Sequence, residues 1–347
     1  MQSPGLSQIT WGQPPSAVRR SAAPQLEASG ETRQSAPRPV QTGITRIKID
    51  GKALPERLLR LFALGGPTHL YFQPRTLAEA VQTLATYGGQ ILSGGTDFYP
   101  SLGDRAAPGD VIDISRVAEM QGVRIESDHV RIGGRTTWTE IIRTPLPCCF
   151  DALKVAAREV GSVQIQNRGT VAGNLCNASP AADGVPPLLA LDAQVELISI
   201  AGTRRLPLSE FIVGNRKTLR RSEEVLSAVI VPRDLDDSPS AFLKLGARRY
   251  LVISIAMVAA VVTLDPRRTI THARVAVGSC SVTARRLADL ERDLVGVAIA
   301  RGWTSRVSAN HLRPLSPIDD VRATAPYRND AALTLIRRAL ESCVEAH

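Results

Sequence analysis

The chain predicts an α+β protein, and three observations predict it. From Tyr71 onward helical and strand patterns alternate, as in a small mixed subdomain. After about residue 190 short apolar runs are joined by polar turns in an antiparallel style. Near the C-terminal third lies an apolar run, Leu251 to Leu264, rich in β-branched residues. At 14 residues it is too short to cross a bilayer as a helix, and it reads as a buried strand.

The elements follow in order. Residues up to Val40 hold six prolines and one aromatic residue, a composition that cannot build a core and predicts disorder over 1–66. Within that leader, 44–64 allows a short strand and an amphipathic helix. Arg19-Arg20 lacks the apolar stretch that an export signal requires. Thr76 caps a helix whose Leu77, Ala80, Val81 and Leu84 share one face, and Gly88-Gly89 ends it. Strands are expected at Ile91-Leu92, Val111–Ile114, Val130–Ile132, Val195–Ile200, Val225–Val231, Phe242–Leu245, along the long apolar run and at Val275–Val277. Helices are expected at Arg285–Val295 and Asp330–Cys343.

Composition narrows the function. The 347 residues are 44% hydrophobic, enough for one large core or several small ones. The net charge is +9, yet residues 1–66 hold nine Lys or Arg against four Asp or Glu, which leaves only +4 for the rest. With 4% aromatics and scattered arginines, the folded part is not expected to bind nucleic acid. The five cysteines, Cys148, Cys149, Cys176, Cys280 and Cys343, show no C-x-x-C spacing, so no metal site is expected on this polypeptide. An odd thiol count suits a reducing, cytoplasmic compartment. Cys176 reads as a small buried filler rather than a nucleophile.

Two segments carry the chemistry. In the first, Gln90-Ile91-Leu92 breaks into Ser93-Gly94-Gly95-Thr96-Asp97, where successive amides can form a concave nest for a pyrophosphate. The alternative is a plain strand-to-loop turn capped by Thr96 or Asp97. The second runs from Gln164 to Leu191, QIQNRGTVAGNLCNASPAADGVPPLLAL, a composition that suits neither strand nor helix. Gly169 and Gly173 permit close backbone approach, and Asn174, Asn177, Ser179 and Asp183 offer hydrogen bonds. Its alternative is an irregular loop in which Asp183 caps a helix beginning near Pro186-Pro187. No G-x-G-x-x-G follows a strand and no G-x-x-x-x-G-K-[ST] occurs, so the common nucleotide cradles are missing.

Taken together, Ser93 to Asp97 and Thr170 to Asn174 resemble the paired glycine turns of the FAD-binding subunit of molybdenum hydroxylases, the xanthine dehydrogenase and carbon monoxide dehydrogenase type. Ile165-Gln166-Asn167, the run from Asn174 to Asp183, and Pro187 to Ala193 extend the resemblance, which spans about Tyr71 to about Leu340. Two departures stand out. Ala172 replaces the first glycine of the second pair, and a positive φ there would cost alanine about 1 kcal/mol. Gln166 replaces an arginine, leaving Arg168 as the nearest substitute.

The resemblance implies a two-subdomain FAD module of the vanillyl-alcohol oxidase (PCMH) type over 67–235, divided near 125, then a C-terminal α/β domain of the CO dehydrogenase flavoprotein type over 236–347. It implies that Ser93, Gly94, Gly95, Thr96, Asp97, Thr170, Ala172, Gly173 and Asn174 cradle the FAD pyrophosphate. Asn177, Ser179 and Asp183 would reach the ribityl chain or flavin edge. Arg249 or Lys244, in the basic stretch 244–249, would favour the reduced anionic flavin, or else form a solvated turn. Arg216 and Lys217 belong to a further family-like stretch. The implied role is electron transfer, with no catalytic residue of its own, in a heterotrimer with a two-iron two-sulfur subunit and a molybdopterin-binding large subunit. NAD or another acceptor would take the electrons, and xanthine is the favoured substrate. A stand-alone FAD oxidase or reductase, or a noncatalytic assembly subunit, are the competing expectations.

Overall fold

The computed structural model describes residues 69–345 apart from Ala106, and the expectations for residues 1–66 lie outside the described residues. The first unit is a parallel three-stranded sheet. Strand β1 (Tyr71–Phe72) leads into helix α1 (Leu77–Tyr87), whose cap Thr76 accepts a hydrogen bond from Glu79 N and whose exit is Gly88 at φ 68°. Strand β2 (Gln90–Leu92), the short helix α2 (Phe98–Leu102) and β3 (Val111–Asp113) follow, and β3 lies between β1 and β2. Ala80, Val81 and Leu84 of α1 bury against Ile112 and Ile114, the face that the helical spacing anticipated.

The second unit is an antiparallel five-stranded sheet wrapped by helices. Strands β4 (Val123–Ile125) and β5 (His129–Gly133) form a hairpin that leads to helices α3 (Trp138–Arg143), α4 (Asp151–Glu159) and α5 (Val163–Gln166). Next come helices α6 (Val171–Asn177) and α7 (Val185–Ala190). The chain then forms β6 (Gln194–Ser199), β7 (Gly202–Pro207), helix α8 (Leu208–Phe211), a small hairpin of β8 (Ile212–Gly214) and β9 (Lys217–Thr218), and β10 (Val225–Pro232). The sheet order is β4-β5-β10-β6-β7, so β10 closes the centre between two hairpins.

The third unit is a four-stranded antiparallel sheet in sequential order: β11 (Ser240–Leu245), β12 (Ala256–Leu264), β13 (Ile270–Gly278) and β14 (Arg285–Arg286). Helices α9 (Ala288–Leu294) and α10 (Ala325–Glu345) pack on it. Strand β12 shows why the long apolar run has no polar alternation. Ala256, Val258, Ala260 and Val262 face α10 in one core, and Met257, Ala259 and Val261 face α7 and the second unit in another. A strand buried on both sides reads as continuously apolar.

Three sequence expectations need correction. The long strand starts at Ala256 rather than Leu251, because β11 ends at Leu245 opposite Ala256 and the residues between them form the connection, with Leu251 at a left-handed φ of 52°. The helix expected from Arg285 begins at Ala288, since Arg285 and Arg286 pair with Val277 and Ala276 as an edge strand. The last helix starts at Ala325, five residues early, with Pro326 in its first turn where a missing N–H costs nothing. Among the described residues no helix is long and apolar enough to cross a membrane.

Candidate functional site

A cleft of 1340 Å³ gathers both segments singled out in the sequence. Ser93 to Asp97 and Thr170, Ala172, Gly173, Asn174, Asn177, Ser179 and Asp183 all line it. The two turns touch through main chain. A Cβ built on Gly94 would sit 2.0 Å from the Arg168 carbonyl oxygen, so only glycine fits there. Gly169 packs the same way, with Thr96 Oγ1 3.4 Å from the position a Cβ would take. Gly95 holds a φ of +74° over the Tyr99 ring, which redirects the chain at the end of β2.

The second segment is helical where the sequence suggested a loop. Thr170 caps α6 by accepting a hydrogen bond from Gly173 N at 3.1 Å, and Val171 and Leu175 anchor it in the core. Trp138 N donates to Gly169 O at 3.2 Å, which ties the approach to this helix to α3. Position 172 lies in a helix and has no positive φ, so Ala172 carries no conformational penalty. Gln166 is buried and donates to Arg158 O at 2.9 Å, and Arg168 is exposed; neither lines the cleft.

Beyond α6 the site turns polar. Ala178 ends the helix in a left-handed conformation, and Arg216 donates to Asn177 Oδ1 from the β8–β9 hairpin. Arg216 N also donates to Ala178 O at 2.9 Å, which fixes the hairpin on the end of α6. Asn174 Oδ1 is buried and has no hydrogen-bond partner within the protein. Asp183 does not cap α7. It pairs with Lys244 Nζ at 2.8 Å and accepts from Ser254 Oγ at 2.9 Å, with both members of the ion pair buried. Burial holds the Asp183 carboxyl above the ordinary carboxylate range, opposed by Lys244. Lys244 therefore acts on the cleft through Asp183, and Arg249 lies outside the lining, exposed over the Tyr250 ring.

The cleft contains groups that the sequence reading passed over. Gly161, Ser162 and Arg220 line it, as do Leu251, Val252 and Ile253 from the connection before β12. The concentration of Arg216, Lys217, Arg220 and Arg221 was the available signal for the basic wall, and nothing marked Gly161 or Ser162. Cys176, expected to be a buried filler, is only half-buried and lines the cleft, and desolvation pushes its thiol up to about 11.

Glycine turns that only main chain can occupy, a basic hairpin and an orphaned amide oxygen meet at this cleft. The family model for the FAD binding domain in molybdopterin dehydrogenase matches residues 63–234, and that for the CO dehydrogenase flavoprotein C-terminal domain matches residues 241–343. The chain belongs to the FAD-binding subunits of the molybdenum hydroxylase family, and its cofactor is FAD. It is 36% identical over 237 residues to the nicotinate dehydrogenase FAD-subunit of Eubacterium barkeri, covering 66% of this chain and 80% of that one. It is 30% identical over 283 residues to a putative xanthine dehydrogenase FAD-binding subunit of Escherichia coli, covering 80% and 96%. The solved carbon monoxide dehydrogenase of Hydrogenophaga pseudoflava superposes with a TM-score of 0.73 at 28% identity, covering 81% of this chain and 98% of the other.

Proposed function

We propose that this chain carries FAD between a two-iron two-sulfur partner subunit and a terminal acceptor, in an assembly whose molybdopterin-binding large subunit oxidises the substrate. The observation that carries this reading is the meeting of Gly94 with the Arg168 carbonyl and Gly169, which supports the two turns acting together on one diphosphate. FAD supplies a carrier that takes up electrons singly and gives them away in pairs. The residues of this chain do the rest. Ser93 to Asp97 and Thr170 to Asn174 would hold the pyrophosphate, with Asn174 on the same wall and its buried Oδ1 unpartnered within the protein. Asn177, held by Arg216, and Ser179 orient the ribityl chain. Asp183, kept in place by Lys244 and Ser254, would offer a fixed carboxyl group to the flavin. Leu251, Val252 and Ile253 would cover part of the bound flavin.

A division at about residue 235, between an FAD module of two subdomains and a C-terminal domain, is supported by the three larger sheets being separate. For the substrate we favour a xanthine-type nitrogen heteroaromatic, supported by relatives named for xanthine, nicotinate and caffeine. NAD is the acceptor we favour, in the cytoplasm. The decisive experiment is co-purification of the full-length chain with products of neighbouring genes. Recovery with a ferredoxin-like and a molybdopterin-binding subunit, and substrate-dependent bleaching of flavin absorbance, is the expected result. Flavin reduced by a substrate of the isolated chain would instead establish a stand-alone oxidoreductase.

A further inference from the structure

A second cavity, of 310 Å³, adjoins the cleft and shares Ser179, Ala181 and Ile253 with it. Its ionisable lining side chains are Asp320, Arg322 and Arg328, two cations against one anion. Arg328 is 2% exposed; its Nη1 donates to Ile255 O at 2.6 Å and Ser279 O at 3.2 Å, and its Nη2 to Asp320 Oδ1 at 2.7 Å. Its Nε has no acceptor, and neither does the buried hydroxyl of Ser279 in the same lining. Asp320 cannot serve them, because it already accepts from Arg322 N, Arg322 Nη1, Ala323 N and Arg328. The cavity is therefore short of one negative charge and of acceptor oxygens. Its mouth is apolar, with Ile253, Val282 and Ile318 each more than half exposed.

We propose that this cavity is a binding site for a small organic monocarboxylate. The carboxylate answers the surplus charge and the unpartnered donors, and an apolar body lies against the mouth. A neutral ligand leaves the charge uncompensated, and phosphate overfills the charge and has no apolar part. At about 30 Å³ per water-sized group, the volume holds roughly ten non-hydrogen atoms, the size of an aromatic acid.

The test is calorimetric titration of the FAD-loaded full-length chain with benzoate, benzamide and inorganic phosphate. Cofactor fills the cleft, which keeps the probe out of it. Saturable benzoate binding is expected, at least about tenfold tighter than either comparison ligand, from the strength of a charge-assisted bond. Arg322→Gln and Ser279→Ala should each weaken benzoate with flavin absorbance and melting temperature unchanged. Arg322 is exposed, so its replacement leaves a folded protein even if Ser279→Ala does not. The proposal is overturned by no saturation up to about 10 mM. Benzamide or phosphate binding as well as benzoate would overturn it too, as would benzoate affinity untouched by Arg322→Gln.

Discussion

At Gly94 a single methyl group decides whether the two glycine turns can meet. In Gly94→Ala the new Cβ must move the Arg168 carbonyl, an overpacking cost of about 1–3 kcal/mol. Flavin content after purification and quenching of FAD fluorescence should both show loss of binding, and a normal yellow protein would refute the cradle. Lys244 is the opposite case, a residue that matters by what it leaves behind. Lys244→Met strands the buried Asp183 charge and should cost about 3–5 kcal/mol in denaturant titration. Its pH dependence has a definite sign. Because the folded carboxyl titrates above its unfolded value, its contribution is fully present below the ordinary carboxylate range and is lost as pH rises through the folded value. The variant should therefore grow less stable from acid toward neutral pH. Asp320 behaves the other way, held down to about 2 mainly by backbone N–H donation from Arg322. What it contributes is present above the ordinary carboxylate range and is lost as pH falls through about 2. Asp320→Asn should flatten acid unfolding in that window.

Elements show where the sequence was readable and where it was not. Helix α1 could be read because Thr76, the apolar stripe and Gly88 give one consistent local message. Helix α6 could not. Thr, Val, Gly and Asn are all mediocre helix formers, and its stability comes from the Thr170 cap and from Val171 and Leu175 packing in the core. Thr170→Val should accordingly cost about 1 kcal/mol of stability and weaken FAD retention more than a cap on α1 would, read by parallel melts of both variants. That the two glycine segments share one cleft was legible because their residue types suit close main-chain approach. The Arg216 hairpin and the Lys244–Asp183 pair depend on contacts 39 and 61 residues apart, which spacing along the chain does not encode.

For the whole molecule, the cleft draws on all three sheets' connections, so cofactor and fold should stabilise one another. FAD at a hundred times its dissociation constant should add about 2.7 kcal/mol to stability. A melting temperature that ignores added FAD would contradict this. The thiols give a second global measure. Burial raises Cys280 to about 11 and Cys343 to about 12 and pushes Cys149 higher still, so iodoacetamide should label these only as fast as the molecule opens.

Strand β12 leaves no side of itself to water, and this shapes how the gene can drift. Along an ordinary half-exposed strand such as β7 every second codon is nearly free to vary. In β12 neighbouring codons answer to different cores, so deep mutational scanning should find an unbroken block of intolerance there.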